Sequence, residues 1–201
     1  MYVFFHHRGR REASTFWSGC GAVRKEAFLS AGGFDVVKYT RPSIEDIELG
    51  YRLRKAGGKI LLIPELQSTH LKEWRFVNLI HTEVFCRAIP WSRLMIEQTG
   101  VVDDLNVSQS ERVRAVLAAL LFLSLLTALL GISPWWGTVI MFVVTGFANR
   151  ALFSLFYRRK GLWFAIAGLA YHQLYYLYSS AAFAYAAVEV RLKRLLSAQA
   201  G

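Results

Sequence analysis

Long apolar runs dominate the second half of the chain. They occupy Val113–Gly131, Trp135–Tyr157 and Leu162–Val188. The first run is long enough to cross the hydrocarbon core of a bilayer as a helix, and the other two are longer. Asn149 and Arg150 interrupt the second run. The pattern predicts an all-α transmembrane region of about three helices over residues 111–201, ending in a basic C-terminal tail.

Residues 1–70 have a different pattern, in which short apolar stretches alternate with glycine-rich turns. A short helix is predicted over Arg24–Ala31, stopped by two glycines. A second helix is expected after Ser43, because apolar and charged residues alternate at helical spacing up to Gly57-Gly58. The apolar run Ile60–Ile63 then predicts a buried strand. Elements of these two kinds in alternation predict an α/β domain.

The segment over residues 71–98 is amphipathic. Apolar residues recur at helical spacing with basic residues between them, and Pro90 is expected to break the helix. Tryptophan and arginine beside a transmembrane region favour helices that lie in the membrane interface. Ordinary packing against the α/β domain is the alternative. We therefore predict three regions: the α/β domain over 1–70, interface helices and a connector over 71–110, and the membrane region over 111–201.

Charge and cysteine content narrow the possible partners. The net charge is +10, and most basic residues of the second half flank the apolar runs. They are Arg112, Arg114, Arg158, Arg159, Lys160, Arg191, Lys193 and Arg194. This distribution is typical of anchoring to anionic lipid headgroups and argues against nucleic-acid binding. Cys20 and Cys86 are too far apart in sequence to imply a disulfide framework or a metal cluster.

The predicted membrane region contains polar residues and a conflict of topology. Asn149-Arg150 and Tyr171-His172-Gln173 are expected to hydrogen-bond between helices, with a functional pathway as the alternative. Three crossings from a cytosolic domain place Arg158–Lys160 inside but leave Arg191–Arg194 outside. Basic segments favour the cytoplasmic side, so either this tail is an exception or one apolar run does not cross.

Two adjacent carboxylates, Glu45 and Asp46, fall in the first turn of the second predicted helix. Ser43 is expected to be its N-cap, with Asp46 at the capping-box position. Acidic residues at a helix start interact favourably with the helix dipole, so capping alone is one explanation of the pair. A carboxylate held beside the small-residue loop Ser18–Gly21 also suits a general base over a sugar-phosphate site.

Four motifs around this pair follow one another in register. They are Phe16-Trp17-Ser18-Gly19-Cys20-Gly21-Ala22-Val23-Arg24-Lys25, Gly32-Gly33-Phe34-Asp35, Ile44-Glu45-Asp46-Ile47-Glu48-Leu49-Gly50-Tyr51-Arg52-Leu53 and Ala56-Gly57-Gly58-Lys59-Ile60. Their order resembles the acceptor half of membrane-bound family 2 glycosyltransferases of the GT-A fold. The resemblance covers roughly residues 12–98 and implies a partial GT-A domain.

The resemblance implies roles for individual residues. Asp46 is expected to be the general base that takes the proton from the acceptor hydroxyl in an inverting transfer, with Glu45 orienting Asp46 or the acceptor. The glycine loop is expected to lie against the donor sugar and its diphosphate. The substrate-binding residues predicted there are Trp17, Ser18, Gly19, Cys20 and Gly21. A tight turn that needs positive φ is the alternative explanation of the glycines, and packing in the core is the alternative for Trp17.

Further residues are assigned in the same way. A histidine in the place of His70 helps to bind the divalent metal or the donor diphosphate in the family, which implies Mn²⁺ or Mg²⁺; a structural role is the alternative. Arg87 and Trp91 depart from the Gln-x-x-Arg-Trp motif of processive members, so polymer synthesis is not expected. These two residues would instead bind a lipid-linked phosphate, or simply anchor the segment in the interface.

The chain contains no Asp-x-Asp, the motif that holds the metal in the nucleotide-binding half of the family. We therefore expect a fragment that lacks that half and is inactive alone. The predicted parent reaction moves a sugar from a nucleotide-sugar donor to a lipid or lipid-linked acceptor at the cytosolic face of a bacterial inner membrane. The alternatives are a non-catalytic membrane fragment that acts as an anchor or assembly partner, and a small transporter or channel subunit.

Overall fold

The computed structural model describes residues 12–40, 42–63, 65–66, 68, 73, 75–99 and 107–199. Over these residues, 74% are helical, and the sheet has two strands, Glu12–Ala13 (β1) and Ile60–Leu61 (β2). The strands are antiparallel, with Glu12 opposite Leu61 and Ala13 opposite Ile60. The described chain is therefore mostly α, and the prediction of an α/β GT-A domain is wrong.

The short second strand gives the physical reason for this correction. Only the first two residues of the predicted strand Ile60–Ile63 pair with β1, and both Leu61 and Ile63 are exposed. A strand inside an α/β sheet would be covered on both faces. A short apolar run does not by itself distinguish such a strand from the edge of a two-residue ribbon.

The described residues form two compact units. The first unit comprises the described residues up to 99 together with residues 182–199, and the second unit comprises residues 107–181. Each unit is described separately below.

Two short helices, Lys25–Ser30 (α1) and Glu45–Lys55 (α2), organise the core of the first unit. Leu49 and Leu53 lie one turn apart on α2 and are buried against Phe16. Two glycines with positive φ follow α1, and Gly57, also at positive φ, follows α2. The two predicted helices and their glycine stops are confirmed, because amphipathic spacing and chain-terminating residues agree.

The predicted N-cap of α2 is wrong. Ile44 occupies that position, and no side chain caps the helix. The hydroxyl of Ser43 instead donates to the carbonyl of Cys86 over 2.6 Å. The N–H of Ser43 donates to Glu45 Oε2 over 2.7 Å, so the first acid of the helix folds back on the residue before the cap.

The segment from Phe76 to Thr99 is helical throughout. It begins as an α-helix, Phe76–His81 (α3), widens into a π-helix over Thr82–Ala88, returns to α over Ile89–Leu94 (α4) and ends as a π-helix over Met95–Thr99. The predicted break at Pro90 is wrong, because Pro90 lies in the first turn of α4 and the chain is helical on both sides of it. We call Phe76–Thr99 the wide helix.

Four helices complete the described chain. They are Gln109–Leu129 (α5), Trp135–Ala148 (α6), Arg150–Lys160 (α7) and Leu162–Gln199 (α8). Among the described helices, α5 is long and apolar enough to span a membrane. Helices α6 and α7 meet the same criterion only as a pair, and they are bent by 71° at Asn149. This gives one membrane-spanning helix, or two if the bent pair is one span, so the prediction of three is wrong.

Composition explains why the third predicted span fails. The run Leu162–Val188 lies within α8, but polar side chains fill its middle. They are Tyr171, His172, Gln173, Tyr175, Tyr176, Tyr178, Ser179 and Ser180. Histidine, glutamine and repeated tyrosine hydroxyls lower the mean hydropathy of this run. The run is therefore long enough for a membrane span but not apolar enough.

Candidate functional site

The start of α2 meets the small-residue loop in the first unit. Residues Ser18–Cys20 form a single 3₁₀ turn, and both the backbone N–H and the hydroxyl of Ser18 donate to Asp46 Oδ2 over 3.0 Å. The other carboxylate oxygen, Oδ1, accepts the N–H of Ile47 over 2.8 Å. Two motifs separated by 28 residues are therefore joined through one carboxylate, which is 9% exposed.

Close approach, rather than positive φ, explains the glycines at this contact. Gly21 has an extended backbone, with φ of −149°. A Cβ added there would lie 2.6 Å from the carbonyl oxygen of Trp17, and one added at Gly50 on α2 would lie 2.4 Å from the backbone nitrogen of Phe16. Glycine at these two positions lets α2 and the loop pack directly against the chain that precedes the loop. The alternative explanation of the loop glycines, a turn that needs positive φ, therefore does not hold at Gly21.

An ion pair on α2 holds the turn after α1. Arg52 donates to both carboxylate oxygens of Glu48, over 2.8 Å and 2.7 Å, and to the carbonyls of Ala31 and Gly33, the latter over 2.7 Å. The Glu48 carboxylate raises the pKa of Arg52, against the opposing effect of burial. The guanidinium of Arg52 thus fixes the turn after α1 to α2, through the carbonyls of Ala31 and Gly33. Asp35, which follows them, accepts the N–H of Lys38 over 2.8 Å.

An open cavity of about 310 Å³ adjoins the contact between Ser18 and Asp46. Its wall is mostly aromatic and aliphatic, with one charged residue. The lining residues are Phe16, Ser18, Gly21, Val23, Lys25, Phe28 and Phe34. Because Ser18 belongs both to the wall and to the carboxylate contact, a molecule in the cavity would lie next to the residue that donates to Asp46. The arrangement offers a proton acceptor, a hydroxyl and an ammonium group beside an apolar surface.

The other predicted substrate-binding residues have partners of their own. Trp17 is 43% exposed, and Cys20 is a half-buried free thiol in the turn. Arg87 donates to Glu83 over 2.7 Å, and the indole N–H of Trp91 donates to the hydroxyl of Tyr51 over 2.8 Å. Burial raises the pKa of Tyr51, while the Trp91 hydrogen bond opposes that rise. The geometry shows ties within the protein for Arg87 and Trp91, and their predicted phosphate-binding role stays a prediction.

The predicted metal site stays untested. His70 lies outside the described residues, and among those described there is no group of three or more histidine, cysteine, aspartate or glutamate side chains that would hold a metal. Both oxygens of Asp46 already accept hydrogen bonds from Ser18 and Ile47. The described residues alone do not complete a site for Mn²⁺ or Mg²⁺, and the metal role of His70 stays a prediction.

Sequence patterning missed two residues near the acidic helix. Tyr39 has a buried hydroxyl, and burial, with a further contribution from the charge of Glu48, raises its pKa to about 12. Ser43 bonds to a carbonyl that lies 43 residues away in sequence. The sequence marked Ser43 only as an N-cap and gave no signal for Tyr39, because the partners of tyrosine and serine in loops are set by tertiary structure.

The second unit also contains a buried carboxylate. Glu111, 4% exposed, accepts from the guanidinium of Arg114 and from the hydroxyl of Tyr176, the latter over 2.5 Å. Arg114 Nε also donates to the carbonyl of Ala148 over 3.1 Å, at the end of α6. This cluster ties α5, α6 and α8 together within the unit. No motif pointed to it.

Two of the amide side chains singled out in the predicted membrane region donate to a backbone carbonyl one turn earlier. Asn149 Nδ2 donates to the carbonyl of Thr145 over 2.9 Å, and Gln173 Nε2 donates to that of Leu169 over 3.4 Å. The guanidinium of Arg150 lies 4.3 Å from the centre of the Phe147 ring. These bonds differ from the predicted contacts between helices, because a carbonyl one turn earlier is the nearest acceptor for a short amide side chain.

Comparison with known proteins gives this chain no relative. No family profile, no curated protein and no solved structure matches it. Any function is therefore assigned from the residues and their geometry.

Proposed function

We propose that this chain supplies the acceptor side of an inverting sugar transfer at a membrane, with Asp46 as the general base. One observation carries the proposal: Ser18 from the glycine loop and Asp46 from the acidic helix meet at 3.0 Å beside an open cavity. A base must lie within hydrogen-bond reach of the hydroxyl that it deprotonates. An acceptor hydroxyl that replaced the Ser18 hydroxyl would satisfy that condition.

The cavity supports an acceptor with an apolar part. Three phenylalanine rings contribute to its wall, and Phe28 and Phe34 pack edge to face with their centroids 5.3 Å apart. Lys25 adds a positive charge suited to a phosphate on the acceptor. These features agree with the lipid or lipid-linked acceptor expected from the sequence, and α5 supports a location at a membrane. We place the reaction at the cytosolic face of a bacterial inner membrane.

In this proposal a polypeptide segment outside these 201 residues binds the nucleotide, because the 201 residues contain no Asp-x-Asp. That segment would bring the nucleotide-sugar donor and any Mn²⁺ or Mg²⁺ that neutralises its diphosphate. A role as a non-catalytic membrane anchor or assembly partner is the second candidate. The mostly helical architecture, with one or two possible spans, favours it.

The test uses membranes of the source organism. Membranes from wild-type cells and from a strain with the gene deleted are incubated with radiolabelled nucleotide sugars, and labelled lipids that depend on the gene are identified. In a strain with Asp46→Asn at the native locus, we expect the rate of formation of that lipid to fall by about 10²–10⁴, the usual contribution of a general base. Glu26→Gln, an exposed acid on α1, is the matched control and should leave the rate unchanged.

Two results would contradict the proposal. A near-normal rate with Asp46→Asn would rule out Asp46 as the base. The absence of any labelled lipid that depends on the gene would rule out sugar transfer and favour the non-catalytic candidate.

A further inference from the structure

A side-chain hydrogen bond joins the wide helix to the chain just before α2. The hydroxyl of Ser43 donates to the carbonyl of Cys86, in the π-helical part of the wide helix, over 2.6 Å.

A second hydrogen bond joins the wide helix to the body of α2. The indole N–H of Trp91 donates to the hydroxyl of Tyr51 over 2.8 Å. Ser43 precedes the first turn of α2, and Tyr51 lies in its second half. The wide helix therefore holds α2 at two points, with Asp46 between them.

The wide helix is held in turn by the end of α8, within the same unit. Arg93 Nε donates to Glu189 Oε2 over 2.7 Å, and Arg194 Nη2 donates to the carbonyl of Ile96 over 3.3 Å. Lys193 also pairs with Glu189, over 2.8 Å. These bonds limit rotation of the wide helix about its own axis, so its two contacts with α2 act from a fixed support.

We propose that Ser43 is a positioning residue, which sets Asp46 against Ser18 by bonding the start of α2 to the wide helix. The inference deepens the proposed function and rests on it for its catalytic meaning. Asp46 follows Ser43 by three residues, less than one helical turn, so a shift of this end moves the carboxylate directly. The 3.0 Å contacts with Ser18 are the first geometry that such a shift would lengthen.

The test measures the Ser18 amide, which donates to Asp46, by residue-resolved hydrogen exchange on the full chain in nanodiscs. We expect Ser43→Ala to speed exchange of this amide about three- to tenfold, the range that the loss of one hydrogen bond allows. Ser43→Thr keeps the hydroxyl and should restore protection. Ser30→Ala is the matched control, because Ser30 donates only to the carbonyl of Ala27 on its own helix.

An exchange rate of the Ser18 amide that Ser43→Ala left unchanged would overturn the proposal.

Neither exchange result depends on sugar transfer. The same variants at the native locus give the second readout: Ser43→Ala should lower kcat for the labelled lipid while KM changes little, since Ser43 does not line the cavity. Fast exchange at Ser18 without any labelled lipid would keep the positioning role and reject the transferase. Normal exchange with an active enzyme would do the reverse.

Discussion

Asp46 in the first unit and Glu111 in the second are both buried carboxylates, but their hydrogen-bond donors differ. Asp46 accepts from neutral groups, the N–H and hydroxyl of Ser18 and the N–H of Ile47. Glu111 accepts from a guanidinium and from a tyrosine hydroxyl. The first carboxylate accepts from Ser18, which lines an open cavity. The second belongs to a cluster that joins three helices.

The difference teaches how to separate a candidate base from a structural acid when burial alone does not. A carboxylate paired with arginine has its charge balanced, and removing it leaves a buried cation, which is costly. A carboxylate bonded to a serine hydroxyl can exchange that hydroxyl for a substrate hydroxyl of the same chemistry. Asp46 is therefore expected to matter for turnover, and Glu111 for stability.

The largest effect should come from Glu111→Ala. Removing this acid takes the partner from the half-buried guanidinium of Arg114 and the acceptor from the hydroxyl of Tyr176, so we expect a loss of about 2–5 kcal/mol in the free energy of unfolding. Urea unfolding of the detergent-solubilised protein measures it. The exposed Glu26→Ala should change stability by less than about 0.5 kcal/mol. A loss below about 1 kcal/mol for Glu111→Ala would break the distinction between the two carboxylates.

An effect of intermediate size is expected from Gly→Ala substitutions, which compare the packing of the two units. Gly50→Ala should cost about 1–3 kcal/mol, because its Cβ would lie 2.4 Å from the backbone nitrogen of Phe16 and force α2 away from the loop. A Cβ added at Gly137, on α6 in the second unit, would have no atom within 4 Å, so Gly137→Ala should not lower the stability. Thermal unfolding of both variants measures the contrast. Equal losses would mean that the close packing of the first unit does not depend on Gly50.

The smallest effect concerns acid pH and an exposed pair of the first unit. Lys193, and then Arg93, hold the pKa of Glu189 below its ordinary value of 4.5. A lowered pKa in the folded state stabilises above the unfolded value, and this contribution disappears as pH falls through the folded pKa. The difference in urea midpoint between wild type and Glu189→Gln should be full above pH 4.5 and vanish below the lowered pKa. A difference that grew on acidification would contradict this sign.

Local sequence signals were sufficient to predict the helices α1 and α2 and the glycines that end them. Amphipathic spacing and Gly57-Gly58 depend on neighbours along the chain, so they can be read from sequence. The meeting of the loop with Asp46 agrees with the expected juxtaposition. At Gly21 the structure shows close approach to Trp17 in place of the positive φ given as the alternative explanation. A Gly-x-Gly pattern does not reveal which neighbouring atoms a glycine approaches.

Features that depend on tertiary contacts were beyond sequence patterning. Whether Ile60–Ile63 is covered depends on how many strands flank it, and only β1 pairs with it among the described residues. The bond from Ser43 to Cys86 and the pairing of Glu111 with Tyr176 join residues 43 and 65 positions apart. Apolar length overcounted membrane spans, because it did not weigh the polar middle of α8.

The ion pair between Arg93 and Glu189 also constrains the path of the chain through a bilayer. Side chains 2.7 Å apart lie in one aqueous compartment, and each crossing changes the compartment. The chain between them must therefore cross an even number of times. If α5 crosses, one return is needed, and the bent pair α6–α7 is the described element that meets the length and hydropathy criterion for it.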